Sequence, residues 1–480
     1  MDDPVNFVDN TEIKFMGYDQ RKNFISAIRA TRSTKAPHEI LQEINEKTTQ
    51  DPGYLDKSIE ITAKHTLGAG HGAAGDEVDY SISFKNLPRT VSLLMNRLQY
   101  GVAPLAQTTR HTKISHAFIP EILKEKGFYD EAKEHVSEIF SVYNSFQNKG
   151  ATTQDSMFVL PLCLAKNLIF KANFRGLVSF YIAATGGEGT LYFNKMVKQN
   201  NGVRPGISRP QVVKDVANQV LELLRKEEPS IFKDRGANFE PLSLYPGLAD
   251  FYDNNPMLNE IIESDIVEPI NQGKTQAIMI EYSNPFKFDK AKVEEWIQNR
   301  NQAFIDCLPN ITGKFIAQLN LAAIFDWRRH RSIRTTYESL AHAAENFTYH
   351  TPVTIKNAGL QSEFNATMRK EIEFYWKLVE NGIPKCEAVS FLPHAIKLYF
   401  VMTMDGWNMM FYALGLRLCT KARPDIGEFG QHIADAIKER DPLIGKFIAP
   451  RGTYYRNGCP ETEPCGKCEE ILKERKTSSE

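Results

Sequence analysis

Five cationic or titratable side chains stand within seven positions of this chain. They lie in the run Asp326-Trp327-Arg328-Arg329-His330-Arg331-Ser332-Ile333-Arg334-Thr335-Thr336-Tyr337-Glu338-Ser339. Like charges repel, so such a group is costly to gather unless an anion shares it. Arginine offers planar paired donors that match phosphate oxygens, and histidine adds a donor or a stacking surface. The same residues also suit a solvated helix end, where positive charge complements the dipole. Composition alone leaves both readings open.

The second concentration of reactive side chains is the tail, Cys459-Pro460-Glu461-Thr462-Glu463-Pro464-Cys465-Gly466-Lys467-Cys468. Cys-x-x-Cys on a Pro/Gly-rich knuckle lets two thiolates grip one zinc ion, and Cys459 offers a third ligand. A fourth is absent nearby, which leaves a histidine elsewhere or a partner chain to supply it. A redox pair and an ordinary exposed tail are the alternatives. The remaining cysteines, Cys163, Cys307, Cys386 and Cys419, sit in apolar, helix-like stretches and read as buried reduced thiols. His65, His111, His116, His342 and His350 show no metal spacing, and the chain carries no Walker loop or nucleophile elbow.

The elements that position these residues occur twice. Gly150 stands ten residues before Leu160-Pro161, and Gly382 ten before Leu392-Pro393, an offset of 232 (392 − 160). The same offset pairs Tyr143 with Tyr375, within segments whose apolar residues recur at helical spacing and which end on those glycines. After each Leu-Pro an apolar, aromatic-rich run reads as helix, to about Ala184 and Cys419. The stretch Phe315 to Phe325, ahead of the arginine cluster, reads as helix too. Arg209-Pro210 and Arg423-Pro424 each open a proline-started helix. Tyr80–Phe84 and Ala277–Tyr282 read as strands. Glu469 to Lys476 reads as a short charged helix. Each repeat is thus strands followed by long helices, an α+β pattern. The join falls in the polar, Gly- and Pro-bearing run 233–241.

A length of 480 residues suits two domains of about 200–240 residues. The net charge of −1 gives no global reason to expect nucleic acid or an anionic membrane as partner. No basic and apolar leader opens the sequence, and no apolar run approaches the roughly 20 residues of a spanning helix, so the expected location is the cytoplasm.

Arg329-His330-Arg331, after an apolar stretch ending in Trp327 and before a serine-bearing loop, resembles the signature of flavin-dependent thymidylate synthases. In that family Arg-His-Arg holds FAD, and the loop, with Ser-x-Asn-Glu-x-Ser-x-Arg, handles dUMP. Ser339 matches the second serine of that loop. Arg334, Thr336 and Tyr337 replace its first serine, asparagine and glutamate, and Ala341 its closing arginine. The first half is similar to the family elsewhere. Ile25–Arg32 resembles its Ala-x-Arg-Val-Ser region. Gly70-His71 with Asp76-Glu77, ahead of Val78–Phe84, resembles its Gly-His-x-x-x-x-Glu-His strand entry. Leu160-Pro161-Leu162 with Asn173 and Arg175 resembles its Leu-Pro-Leu…Val-Asn-Ala-Arg segment. Where Arg-His-Arg is due, this half reads Arg97-Leu98-Gln99-Tyr100. Arg110 falls near the place of the loop's last arginine, and Arg417 resembles a family arginine that meets the nucleotide. Asn167 and Tyr399 replace a further substrate arginine, with Lys397 as a stand-in.

The resemblance implies an α+β fold of two tandem units, each a small, mainly antiparallel sheet with long helices, packed as a pseudo-dimer. It places them at 1–235 and 236–450, with the Cys-rich tail at 451–480. The second half keeps Arg329, His330 and Arg331 but has Asp405 and Trp407 where asparagine and arginine are due. The first keeps His71, Asn173 and Arg175. A single composite FAD site is the implied arrangement, with Ser339, Arg417 and Arg110 toward the nucleotide. The implied reaction is reductive methylation of dUMP at C5 by methylenetetrahydrofolate, FAD and NADPH, in a homodimer of two-unit chains. An FAD enzyme acting on another pyrimidine or a nucleic-acid base, or a homologue that has lost catalysis, remains open beside it.

Overall fold

The computed structural model describes residues 4–16, 21–31, 33–66, 76–98, 101–107, 112–186, 208–232, 250–455 and 458–477. His71, Arg110 and the join 233–241 lie outside them. By packing, the chain divides into two units, Met1–Asp253 with Thr354–His394, and Asn254–Val353 with Ala395–Glu480.

The first unit is built on a six-stranded sheet ordered Asn6–Phe7, His116–Ala117, Leu164–Asn173, Asp79–Pro88 and Glu12–Phe15, with Val102–Ala106 also paired to Leu164–Asn173. The second holds four antiparallel strands ordered Ala277–Ser283, Thr312–Asn320, Lys397–Asp405 and Arg334–Tyr337. The fold is α+β in both.

The 232-residue repeat is written into the element boundaries. Tyr129–Asn148 and Gln361–Glu380 are equivalent helices, and Thr153–Ser156 and Lys385–Ala388 follow them at the same offset. Ala117 pairs with Leu164 in the first sheet, and at the same offset Tyr349 forms an isolated bridge with Ile396. Both long helices stop as the glycines require. Gly150 and Gly382 have φ of +98° and +81°, and the next amide bonds back to Phe146 O and Leu378 O, each at 3.0 Å.

Three stretches expected to be helical are strands first. Thr312–Asn320, Leu164–Asn173 and Lys397–Asp405 are central strands, and only then do the helices Leu321–Trp327, Phe174–Thr185 and Gly406–Met410 begin. A strand covered on both faces is apolar throughout, and periodicity cannot tell it from a buried helix. Phe315, Ile316 and Ala317, on both faces of one strand, are all fully buried. The counterpart of Asp79–Pro88 is therefore Thr312–Asn320, whereas Ala277–Ser283 occupies the edge position that Glu12–Phe15 holds in the first sheet.

Within the first unit the two long helices of the repeat lie antiparallel against each other. His135 stacks on Phe374 at 4.1 Å, Phe146 packs on Phe364, and Lys149 pairs with Glu363 at 2.7 Å. The two Leu-Pro turns exchange hydrogen bonds, Leu162 N–H to Leu392 O and His394 N–H to Leu160 O, each at 3.1 Å. Each bond is the image of the other under the 232-residue shift.

Candidate functional site

Asn320 ends the strand Thr312–Asn320 and caps the helix after it. Its Oδ1 accepts from Ala323 N–H at 2.8 Å, while its Nδ2 donates to Asp425 at 2.6 Å. That capped helix is only two turns long and delivers Asp326, Trp327 and the arginine cluster at its carboxy end. Arg329 is exposed, with 71% of its side-chain surface in solvent, and leans on Asp326 at 3.4 Å. Asp326 is buried, and Arg423 reaches it at 3.8 Å while bonding Asp425 at 2.6 Å. Arg331 is exposed as well, though partial burial lowers its guanidinium from its ordinary value.

His330 differs from both neighbours. It is only 4% exposed, wedged between the rings of Trp327 and Tyr412 at centroid distances of 5.7 and 5.4 Å. Burial, with Arg417 and Arg329 beside it, drives its pKa down to about 3. The ring is neutral at physiological pH. Arg417 donates Nε–H to its Nε2 at 3.0 Å and its Nη2–H to Asp326 O. The proton therefore sits on Nδ1, which is buried without a hydrogen-bond acceptor among the described residues. Arg417 and the Arg-His-Arg run, singled out separately in the sequence, are one contact network. Ser332 Oγ then ties the loop to Asn408 Oδ1 at 3.0 Å, on the helix that carries Trp407.

The positions expected to meet substrate have parts in the fold. Arg334–Tyr337 is a strand paired with Phe400–Thr403. Ser339 is buried as the N-cap of Leu340–Glu345, its Oγ accepting from His342 N–H at 3.2 Å. Glu338 is buried between His342 Nδ1 and the Tyr399 N–H. Burial pushes its carboxyl up against the pull of those two bonds, and its carboxylate raises His342 in turn.

In the first unit, Asn173 caps Phe174–Thr185 by accepting from Gly176 N–H at 2.9 Å. Asp76 holds both residues expected to meet flavin, taking Asn173 Nδ2 at 2.9 Å and Arg175 Nε at 2.8 Å, with a second oxygen on Arg175 Nη2. Space is tight, for a Cβ on Gly101, whose φ is +65°, would fall 2.1 Å from Asn173 Oδ1. The counterparts of Arg329 and His330 are closed off. Arg97 is buried against buried Asp250, and Leu98 is buried among apolar neighbours.

In the tail all cysteines are free, and Cys468 is buried at the start of Lys467–Thr477. Among the described residues no group of three or more His, Cys, Asp or Glu could hold a metal ion. Of the four cysteines read from sequence as buried thiols, only Cys163 is buried, whereas Cys307, Cys386 and Cys419 lie partly exposed, Cys419 just past the helix Ala413–Arg417. A cavity of about 770 Å3 runs along the edge strand between Lys274 and Tyr282 and the helix face of His432, Asp435 and Glu439. It contains none of the expected site residues.

The model of a family described as thymidylate synthase complementing protein (Thy1) matches residues 14–189 and 310–443. Two curated relatives are named flavin-dependent thymidylate synthase. That of Sulfolobus acidocaldarius is 24% identical over 35% of this chain and 65% of its own length. That of Saccharolobus solfataricus is 23% identical over 38% and 72%. The chain thus spans about two thirds of the length of these relatives. A solved UMP/dUMP methylase PolB of Streptomyces cacaoi aligns at a TM-score of 0.36 and 14% identity, over 49% of this chain and 97% of that one.

Proposed function

The chain belongs to the Thy1 family of thymidylate synthase complementing proteins, and from that premise we propose that it is a flavin-dependent thymidylate synthase-like methyltransferase. The reaction passes the methylene of methylenetetrahydrofolate to C5 of dUMP, with loss of the C5 proton, to give dTMP. When bound, reduced FAD supplies the hydride that completes the methyl group, and NADPH is the source of that hydride.

The observation that carries this reading is the Arg329–His330–Arg331 turn. Two exposed guanidiniums flank a neutral imidazole whose orientation Arg417 fixes. Arg329 and Arg331 present the planar donors that pyrophosphate or phosphate oxygens require. His330, at about pKa 3, supplies an oriented ring and not a proton at neutral pH. Asn173 and Arg175, at the places of Asp405 and Trp407, are the groups the first copy contributes, and there an incoming anion competes with Asp76 for Arg175. The reciprocal bonds at the Leu-Pro turns support the reading that the two copies are a fused pair, and a homodimer of such chains is the expected assembly. A zinc ion at Cys459, Cys465 and Cys468 belongs to the same reading as a structural part.

One observation favours a second reading. The loop residues expected at dUMP are a strand at Arg334–Tyr337 and a buried cap at Ser339. This suits an FAD protein acting on another pyrimidine or a nucleic-acid base, or one that has lost catalysis.

Tritium release from C5 of labelled dUMP, with NADPH and methylenetetrahydrofolate present, separates the two. Release that requires added flavin supports the synthase. FAD binding without release gives the second reading, and absence of FAD binding removes both.

A further inference from the structure

Four buried polar side chains lie behind the arginine turn, Asn320, Asp326, Arg423 and Asp425. Asp425 is their hub. Its Oδ2 accepts from Asn320 Nδ2 and its Oδ1 from Arg423 Nε, each at 2.6 Å, and Oδ1 also takes the Ile426 N–H at 3.0 Å. It stands in the first turn of Pro424–Arg440, where the helix dipole favours a carboxylate. Burial alone would raise its carboxyl, yet the charge of Arg423 and the bond to it hold the group below its ordinary value, so it is ionised at neutral pH. Arg423 reaches Asp326 at 3.8 Å, and Asp326 meets Arg329 at 3.4 Å. One row of contacts thus runs from a buried helix start to the exposed guanidinium.

A buried row of alternating charges is a poor source of stability, because desolvation offsets most of the attraction and apolar residues of similar volume do as well or better. The other copy shows the fold without it. At the 232-residue offset Leu94 stands for Asp326 and Pro88 for Asn320, and Leu94 is buried. After the shared Arg-Pro step, Gln211 stands for Asp425. The arginine persists, but Arg209 is turned to Asp253 at 2.7 Å and to Ala183 O at 2.9 Å. In that copy Arg97, the counterpart of Arg329, is buried. The acidic row and the exposed arginine occur together in one copy and are lost together from the other.

We propose that Asp425 is a positioning residue which, through Arg423 and Asp326, fixes the direction in which Arg329 presents its donors to an anion. The inference rests on the reading that the Arg329 turn binds an anionic group of the cofactor. Asn320 gives the carboxylate a second hold. Its Oδ1 caps Leu321–Trp327 while its Nδ2 bonds Asp425, so the short helix that carries Asp326 is set from both ends by one group.

The test uses the full chain, because charge and position predict opposite results. Asp425→Asn keeps the volume and removes a negative charge behind the turn. Were charge alone at work, the turn would hold anions more tightly. The expected result is the reverse, at least a tenfold loss of affinity for FAD and for inorganic pyrophosphate, each read by titration calorimetry and referred to the folded fraction. Asp425→Glu, which keeps the carboxylate, should recover part of the loss. In an Arg329→Ala background Asp425→Asn should cost nothing further, whereas a merely structural role would lower affinity equally in both backgrounds. Should Asp425→Asn fail to fold, Asp326→Leu, which installs the residue of the other copy, takes its place with the same expectation. Unchanged or tighter binding, or an equal loss with and without Arg329, overturns the proposal. FAD bound no more tightly than pyrophosphate removes the flavin reading, and the pyrophosphate arm alone then decides the inference. A chain that binds neither probe overturns both.

Discussion

Arg417 Nε–H is donated to His330 Nε2 at 3.0 Å, across 87 residues of sequence. The bond does two things to the ring. It fixes the tautomer with the proton on Nδ1, and it places a permanent cation where a second proton would go, so the imidazolium is opposed by charge as well as by burial.

Removing that cation should be visible in the titration of His330. Burial is the largest cause of its depressed pKa, with Arg417 next. In Arg417→Gln the pKa should rise from about 3 yet stay below the ordinary 6.5. The sign for stability follows. A depressed folded pKa means stability that is fully present above pH 6.5 and is lost as the pH falls toward 3. One such proton gives a slope of at most about 1.4 kcal/mol per pH unit. Imidazole proton resonances followed through an acid titration check it. An unchanged His330 in Arg417→Gln would show that the guanidinium has no electrostatic hold on the ring.

Glu371 carries the opposite sign. It is fully buried on Gln361–Glu380, and neither carboxyl oxygen has a hydrogen-bond partner among the described residues. Burial raises its pKa well above 4.5. Stability is therefore fully present below pH 4.5 and is lost as the pH rises through the folded pKa. Glu371→Met removes the buried acid at similar volume, so it should stabilise the protein more at pH 8 than at pH 5. Urea unfolding at the two pH values measures it, and a gain independent of pH would contradict the assignment.

How much of this was legible in the sequence depended on the kind of signal. Gly150 and Gly382 announced their helix stops because only a residue without a Cβ settles readily at positive φ. The duplication was legible from two Leu-Pro turns, because those turns bond each other and cannot drift apart. Phe315–Phe325 misled because a central strand and a buried helix are equally apolar. The punctuation between them is Asn320, which, like Gln318, is a polar residue inside an apolar run, and which is read correctly as a cap. Cys419 was misread for a related reason, since its apolar context ends at Arg417 and it lies partly exposed just past that helix.

Ser339 matches a substrate-binding serine by position, yet it caps Leu340–Glu345. The two roles separate by substitution. Ser339→Ala should cost about 0.5–2 kcal/mol of stability through the lost cap. Ser339→Asp keeps the cap and should unfold like the parent protein. If the hydroxyl also meets a nucleotide phosphate, the aspartate repels it and substrate affinity falls while stability does not. Thermal unfolding and dUMP titration of both variants decide it, and a Ser339→Asp protein that binds nucleotide normally assigns the serine to the cap alone.

Arg97 and Arg329 occupy the same place in the two copies, 232 residues apart, and the structure puts them in opposite surroundings. Arg97 has only 5% of its side chain exposed and is paired with Asp250, itself 4% exposed. Removing one partner of a buried pair leaves the other charge desolvated and uncompensated. Arg97→Ala should therefore cost about 3–5 kcal/mol of stability. Arg329 leans on Asp326 from solvent at 3.4 Å, and such a contact is worth little. Arg329→Ala should change stability by no more than about 0.5 kcal/mol. Its effect should appear instead in flavin binding, where a lost charge-assisted bond of about 1.5–3 kcal/mol is roughly a ten- to hundredfold loss in affinity. Chemical denaturation and FAD titration by fluorescence quenching are run on both variants, with affinity referred to the folded fraction. Should Arg97→Ala weaken FAD as much as Arg329→Ala, the first copy would be a flavin site in its own right, and the division of labour between the copies would fail.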